Sequence, residues 1–216
     1  MVRERISNRV FHDTFLIPIP EGDAPLSIDS LYSIPQPVEV DIGCGRGRFL
    51  LARARTCPCI NFIGIDRSLT RLRKIDRKAV IGSLDNIRLV KCDALQIIAA
   101  LPGESVNTFY VYFPDPWPKR RHHSRRLISP TFIDLILKAL IPQGTIHLCT
   151  DHQDYYTTIV GLWRQDIRFV EIPPYLPSEE EKTDFELIFR SQGLKTHRCS
   201  FQTRAPNLVD AAEIVH

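Results

Sequence analysis

From Val38 to Phe169 short apolar runs alternate with longer segments in which apolar residues recur every three or four positions. The runs are Val38–Ile42, Asn61–Ile65, Ile87–Lys91, Val106–Phe113 and Thr145–Cys149. Several lack the polar–apolar alternation of a half-exposed strand, as strands covered on both faces do. The intervening segments, Arg48–Arg55, Leu69–Ile81, Ala94–Ala100, Thr131–Leu140 and Gln153–Arg164, predict helices. In the fourth of them Phe132, Ile133, Leu135, Ile136 and Leu140 cover one broad face, and Pro130 stands at the helix entrance. Such alternation predicts an α/β fold, a mostly parallel central sheet of five strands with helices on both faces.

The ends of the chain read differently. Residues 1–36 carry Pro18, Pro20, Pro25 and Pro35 behind Arg3, Arg5 and Arg9, and predict an irregular N-terminal arm packed on or flanking the core. Its apolar residues Val10, Phe11, Phe15, Leu16 and Ile17 need cover. Beyond the fifth helix, Phe169–Ile172 predicts a strand, Phe185–Ser191 a short helix stopped by Gly193, and Leu194–Phe201 a last strand. The organisation expected is an arm at 1–36, one domain at 37–202 and a tail at 203–216.

Composition adds bounds. With 216 residues, 44% hydrophobic and 25% charged, the chain suits one soluble domain rather than a disordered one. The formal net charge is only +3, but five of the 28 Lys and Arg crowd into Lys119–Arg126 with two His, a cluster suited to a polyanion. No apolar stretch approaches the ~18 residues of a membrane span, and the N-terminus lacks the apolar core of a secretion signal, so no membrane partner and a cytoplasmic location are expected. Of the six cysteines only Cys57 and Cys59 are close, and one intervening residue is not the spacing of a zinc or redox pair.

Three strand ends carry acids. The first runs Val38-Glu39-Val40-Asp41-Ile42-Gly43-Cys44-Gly45-Arg46-Gly47 into a helix, and its glycines let backbone amides approach a ligand closely. The third glycine falls one residue early for the dinucleotide fingerprint, and Arg48 takes the expected place. This spacing favours a loop for S-adenosyl-L-methionine, whose ammonium and sulfonium call for a negative partner such as Asp41. Asp66 ends the second strand, where a carboxylate can accept ribose hydroxyls, and Asp93 follows the third, within reach of an adenine amino group. Taken singly, each acid is as readily a helix cap or turn residue, and each glycine a tight turn.

The fourth strand breaks at Phe113-Pro114-Asp115-Pro116-Trp117-Pro118, where three prolines in five residues predict a rigid, non-helical loop at the ligand-binding edge. The loop resembles the acid-Pro-Pro-aromatic loops with which amino-directed base methyltransferases grip a target base. The basic run follows at once, so phosphate contact is the better reading of its charge than a solvated face.

The string Phe113-Pro114-Asp115-Pro116-Trp117-Pro118-Lys119 and the basic residues after it closely resemble the hallmark of the bacterial tRNA (guanine-N7)-methyltransferases. The likeness extends from about Arg3 to Gln202 and takes in Thr150-Asp151 and Thr183–Glu186. It implies a Rossmann-like class I methyltransferase fold, adenosylmethionine as cofactor, and methylation of tRNA at guanine N7, in the variable loop. Carried over by residue, it implies cofactor contacts from Asp41, Gly43, Gly45, Gly47, Asp66, Asp93 and Asp115. Asp115 is also the implied catalytic residue. Substrate contacts fall to Lys119, Asp151, Thr183, Asp184, Phe185 and Glu186, and RNA contacts to Arg121, His122, His123, Ser124, Arg125 and Arg126. Asp41 and Asp66 depart from the family by standing where glutamate is usual, one methylene shorter.

Three rivals have discriminating features. A non-catalytic tRNA-binding subunit has no use for an intact glycine loop and Asp115. An amino-directed base methyltransferase usually carries two adjacent prolines after its acid. A nicotinamide oxidoreductase would need the other glycine spacing. A monomer and a homodimer are left equally open.

Overall fold

Buried β-branched residues and glycine-punctuated turns build one eight-stranded sheet with helices against both faces. The computed structural model describes residues 14–20, 22 and 24–205. Arg3, Arg5, Arg9, Val10, Phe11 and the tail beyond 205 lie outside the described residues. In chain order the strands are β1 (Leu16–Ile17), β2 (Val38–Ile42), β3 (Asn61–Asp66), β4 (Ile87–Lys91), β5 (Val106–Tyr112), β6 (Leu140–Thr150), β7 (Phe169–Ile172) and β8 (His197–Thr203). The helices are α1 (Arg48–Thr56), α2 (Leu69–Ile81), α3 (Ala94–Ala100), α4 (Pro130–Ala139), α5 (Gln153–Arg164) and α6 (Asp184–Ser191).

The strands lie in the order β1-β4-β3-β2-β5-β6-β8-β7. All pairings from β1 to β6 are parallel, and β8 inserts antiparallel between β6 and β7. All five residues of β2 and all six of β3 are buried, which is why their sequences show no alternation. Connections from β2 run outward to β3 and β4, whereas β5 lies on the other side of β2. A crevice for ligands therefore opens beyond the carboxyl ends of β2 and β5, where the strand order reverses.

Three expectations need correction. The arm is not wholly irregular, because Leu16 and Ile17 pair with Leu89 and Val90 as a short sixth parallel strand, with Phe15 buried beside them. The fourth helix ends at Ala139, not Leu140: Leu140 is already extended, since Pro142 restricts the residue before it and removes a helix donor. Gln143 then takes a left-handed φ of 61°, and the ladder with β5 shifts register between Val106 and Thr108. The last strand begins at His197 rather than Leu194, fixed by the pairing of His197 with Thr150.

Candidate active site at the strand-order reversal

The glycine loop turns from β2 into α1 through three left-handed residues, Gly43, Gly45 and Gly47, with φ of 78°, 57° and 73°. A Cβ on Gly47 would lie 2.6 Å from Ile75, a buried side chain of α2, so close packing as well as backbone conformation demands glycine there. Asp66 braces the loop from the end of β3. One carboxylate oxygen accepts from Gly45 N at 3.0 Å and the other from Ser68 N at 2.7 Å, and each oxygen keeps a lone pair for a further donor. Asp93 caps α3, accepting from Leu95 N at 3.0 Å, and its other oxygen contacts the Arg67 guanidinium.

Asp41 is different. It is buried, and its carboxyl takes no hydrogen bond among the described residues. Burial, then the nearby Asp66 charge, pushes its pKa up to about 7. A buried acid without a donor is costly unless a cation arrives, and this is the observation that fits the residues to a cationic ligand beside the loop.

Across the crevice, β5 ends at Tyr112, and Phe113 and Trp117 both adopt left-handed φ, 55° and 41°. Phe113 N donates to Cys149 O at 2.7 Å, which ties the start of the loop to β6. Asp115 stands between these two residues and is exposed. The far end of the loop is pinned by the basic run, which forms a 3-10 turn at Arg120–Arg125. Arg126 Nε donates to Pro116 O at 2.8 Å, and its guanidinium lies 4.6 Å over the Tyr155 ring. Arg125 sits 5.1 Å over the Trp117 ring, and His122 meets the same ring edge-on at 5.8 Å. Lys119, Arg121, His123, Ser124 and Arg125 are exposed, whereas Arg126 is turned inward.

The Thr183–Glu186 segment reaches this site from far along the chain. Arg48 at the start of α1 donates to the carbonyls of Lys182 and Glu179, and Phe113 packs on Phe185 and Phe189 at 6.2 and 5.4 Å. Thr183 caps α6, accepting from Glu186 N at 3.1 Å. The Thr-x-x-Glu spacing is that of a capping box, yet the Glu186 carboxylate does not fold back. It is buried instead against Arg198 of β8, at 2.6 Å. Asp151, exposed just past β6, lies at the same edge of the sheet. The expected site residues therefore come from five strand ends and one helix that converge on a single edge.

Sequence reading missed Arg198, which also lies 5.3 Å over the Tyr112 ring. It missed as well the buried network in which Arg53 joins Glu39 at 2.9 Å and Glu181 at 3.5 Å, while Tyr110 donates to Glu39 at 3.0 Å. An arginine in the middle of an otherwise apolar helix face was the one local signal available for Arg53.

Known proteins resemble this chain in sequence and in fold. A sequence family described as putative methyltransferases matches residues 35–199. The tRNA (guanine-N(7)-)-methyltransferase of Halorhodospira halophila is 33% identical over 198 residues, covering 88% of this chain and 84% of the relative. That of Nitrosococcus oceani is 35% identical, covering 80% and 74%. The chain belongs to the tRNA (guanine-N7)-methyltransferase family. Among solved structures, the 16S rRNA methyltransferase KamB superposes with a TM-score of 0.63 at 17% identity, covering 82% of this chain and 92% of KamB, a likeness of fold. The fold is that of class I methyltransferases, and the family's cofactor is S-adenosylmethionine.

For a family member with Asp41 in this state, cofactor affinity is expected to depend on pH. The free protein holds a proton on Asp41 below about pH 7, and a bound cation favours the ionised form. Binding then releases that proton, so affinity rises with pH, by roughly tenfold per unit between about 5 and 7. Calorimetric titration in buffers of different ionisation enthalpy measures the proton release, and Asp41→Asn is expected to lose it. A pH-independent affinity in the unaltered chain would remove Asp41 from the cofactor site.

Proposed function

We propose that this chain methylates guanine N7 of tRNA, in the variable loop, with S-adenosylmethionine as methyl donor. The observation that carries this reading is the meeting, at one crevice, of the glycine loop with buried Asp41 and the loop that presents Asp115. Adenosylmethionine, when bound, supplies a methyl group activated by its sulfonium. Asp41, Asp66 and Asp93, with the amides of Gly43, Gly45 and Gly47, hold the cofactor on one side. Asp115 accepts hydrogen bonds from the Watson–Crick edge of the guanine on the other.

Guanine N7 has an exposed lone pair, so the reaction needs no base to remove a proton, and orientation dominates. Asp115 is a positioner. The methylated base is cationic, and the carboxylates around the crevice stabilise that charge as it develops. Lys119, Asp151 and Thr183–Glu186 complete the substrate contacts, and exposed Arg121, His123, Ser124 and Arg125, with half-buried His122 beside them, meet phosphates, while Arg126 shapes the loop from within. The working location is the cytoplasm, where tRNA is found. Among the described residues no helix is long and apolar enough to cross a membrane.

The test is incubation of unmodified tRNA with labelled adenosylmethionine, then borohydride reduction and aniline cleavage, which cuts RNA at 7-methylguanine. One cut in the variable loop is expected. Label incorporated without cleavage would move the reaction to another atom.

A further inference from the structure

A second, more extended accumulation of positive charge lies away from the basic run. Residues 46–78 hold ten of the 28 Lys and Arg, and only two acids, Asp66 and Asp76. Both acids are buried, so the exposed surface of this segment is of one sign. The other 183 residues carry 18 cations against 23 acids, so without this segment the chain would be net acidic.

The exposed cations line α1 and α2. Asp76 is spent inside, accepting from Phe15 N at 2.7 Å, and Arg53 is neutralised by Glu39 and Glu181. Arg46, Arg55, Lys74 and Lys78 make no ion pair or side-chain hydrogen bond among the described residues. Arg46, Arg48, Arg55 and Lys78 line one groove of about 440 Å³, which Glu180 and Asp184 also line, so cations outnumber acids there by four to two. A solvated face mixes both signs, because like charges held together repel. A face that keeps five lysines and arginines on one 13-residue helix, with its acid turned inward, suits a polyanion.

We propose that the α1–α2 face is a second tRNA backbone-binding surface, distinct from the run at Lys119–Arg126. This rests on the reading of the chain as a tRNA methyltransferase. Arg46 belongs to the glycine loop, so the surface starts at the active crevice. From there α1 and α2 run back toward the opposite edge of the sheet, and Lys78 lies ten residues along from the cap at Ser68, about 15 Å at the helical rise. A tRNA whose variable loop enters the crevice thus lays a more distant part of its backbone along this groove. The contacts are to phosphates and carry no base sequence information.

The experiment compares the full chain with Arg55→Gln/Lys74→Gln/Lys78→Gln, measuring equilibrium binding of unmodified tRNA across a salt series. Binding is read directly, so it reports on this surface whether or not methyl transfer occurs, and aniline cleavage by the unaltered chain tests the reaction separately. The triple variant is expected to bind at least ~10-fold more weakly at low salt, with the log–log salt slope reduced by about 2 to 3. Its melting temperature is expected to be unchanged, because the three side chains are exposed and unpartnered. A variable-loop stem-loop too short to reach the groove should bind both proteins equally. Unchanged tRNA affinity and slope in the variant would overturn the surface, as would an equal loss on the short stem-loop. So would an equal loss against vesicles of anionic lipid when tRNA binding is unaltered, which would hand the face to a membrane.

Discussion

Asp115→Ala is expected to lower the rate of methyl transfer by roughly 10²–10³-fold or more while tRNA affinity stays within about threefold. The loop that carries Asp115 owes its shape to its neighbours: the prolines on either side, the Phe113 hydrogen bond to Cys149 and the Arg126 hydrogen bond to Pro116. The aspartate itself is exposed, so removing its carboxylate leaves the fold and the basic surface in place. On the proposed reading, what is lost is the acceptor that orients the guanine. Asp115→Asn separates two roles, because an amide keeps one acceptor but presents donors to the guanine's own N–H groups. It is expected to be nearly as impaired as alanine. Single-turnover rates with cofactor and enzyme in excess measure both variants. Transfer near the unaltered rate in Asp115→Ala would take the residue out of the reaction.

Arg198→Ala is expected to be the most destabilising single change at the site. Arg198 and Glu186 are each about 10% exposed, and their ion pair anchors α6 to β8. Glu186 is the one residue of α6 that is buried, while Phe185 and Ile188 of the same helix are half exposed. No broad apolar seam substitutes for the pair. Truncating the arginine strands a buried carboxylate, at a cost of about 3–5 kcal/mol, or a melting temperature lower by roughly 6–20 °C for a chain of this length. Glu186→Gln in the same protein removes the stranded charge and should restore more than half of the loss. Thermal denaturation of the single and double variants checks this. A double variant no more stable than Arg198→Ala would show that packing on Tyr112, and not the ion pair, is what the arginine provides.

Local signals were legible in the sequence, and long-range ones were not. The bounds of β4, α2, α3 and α5 follow from apolar spacing and from the caps at Ser68, Asp93 and His152, all within a few residues of the element they end. Asp41, Asp66 and Asp93 were readable because a strand end is a local event. The start of β6 was not, since Leu140 continues the helical spacing of α4 and only Pro142 and Gln143 reveal the break. Two-residue β1 exists only through its pairing with β4. Arg198 faces Glu186 because β8 inserts beside β6 in antiparallel register, with Cys149 opposite Arg198, an arrangement that no local pattern encodes. Charge on α2 is visible in the letters, but the burial of Asp66 and Asp76 that leaves the segment's surface of one sign is set by long-range contacts.

The loop at Phe113–Trp117 has a bearing on how quickly substrate can be engaged. Two non-glycine residues held at positive φ store strain of about 1–3 kcal/mol each, which surrounding contacts must offset during folding. With the shape settled then, little conformational entropy is left to lose when RNA arrives. On the proposed reading, recognition by this loop is accordingly lock-like: a base either fits a preset grip or leaves, and the ordering that RNA encounter does require falls to the RNA.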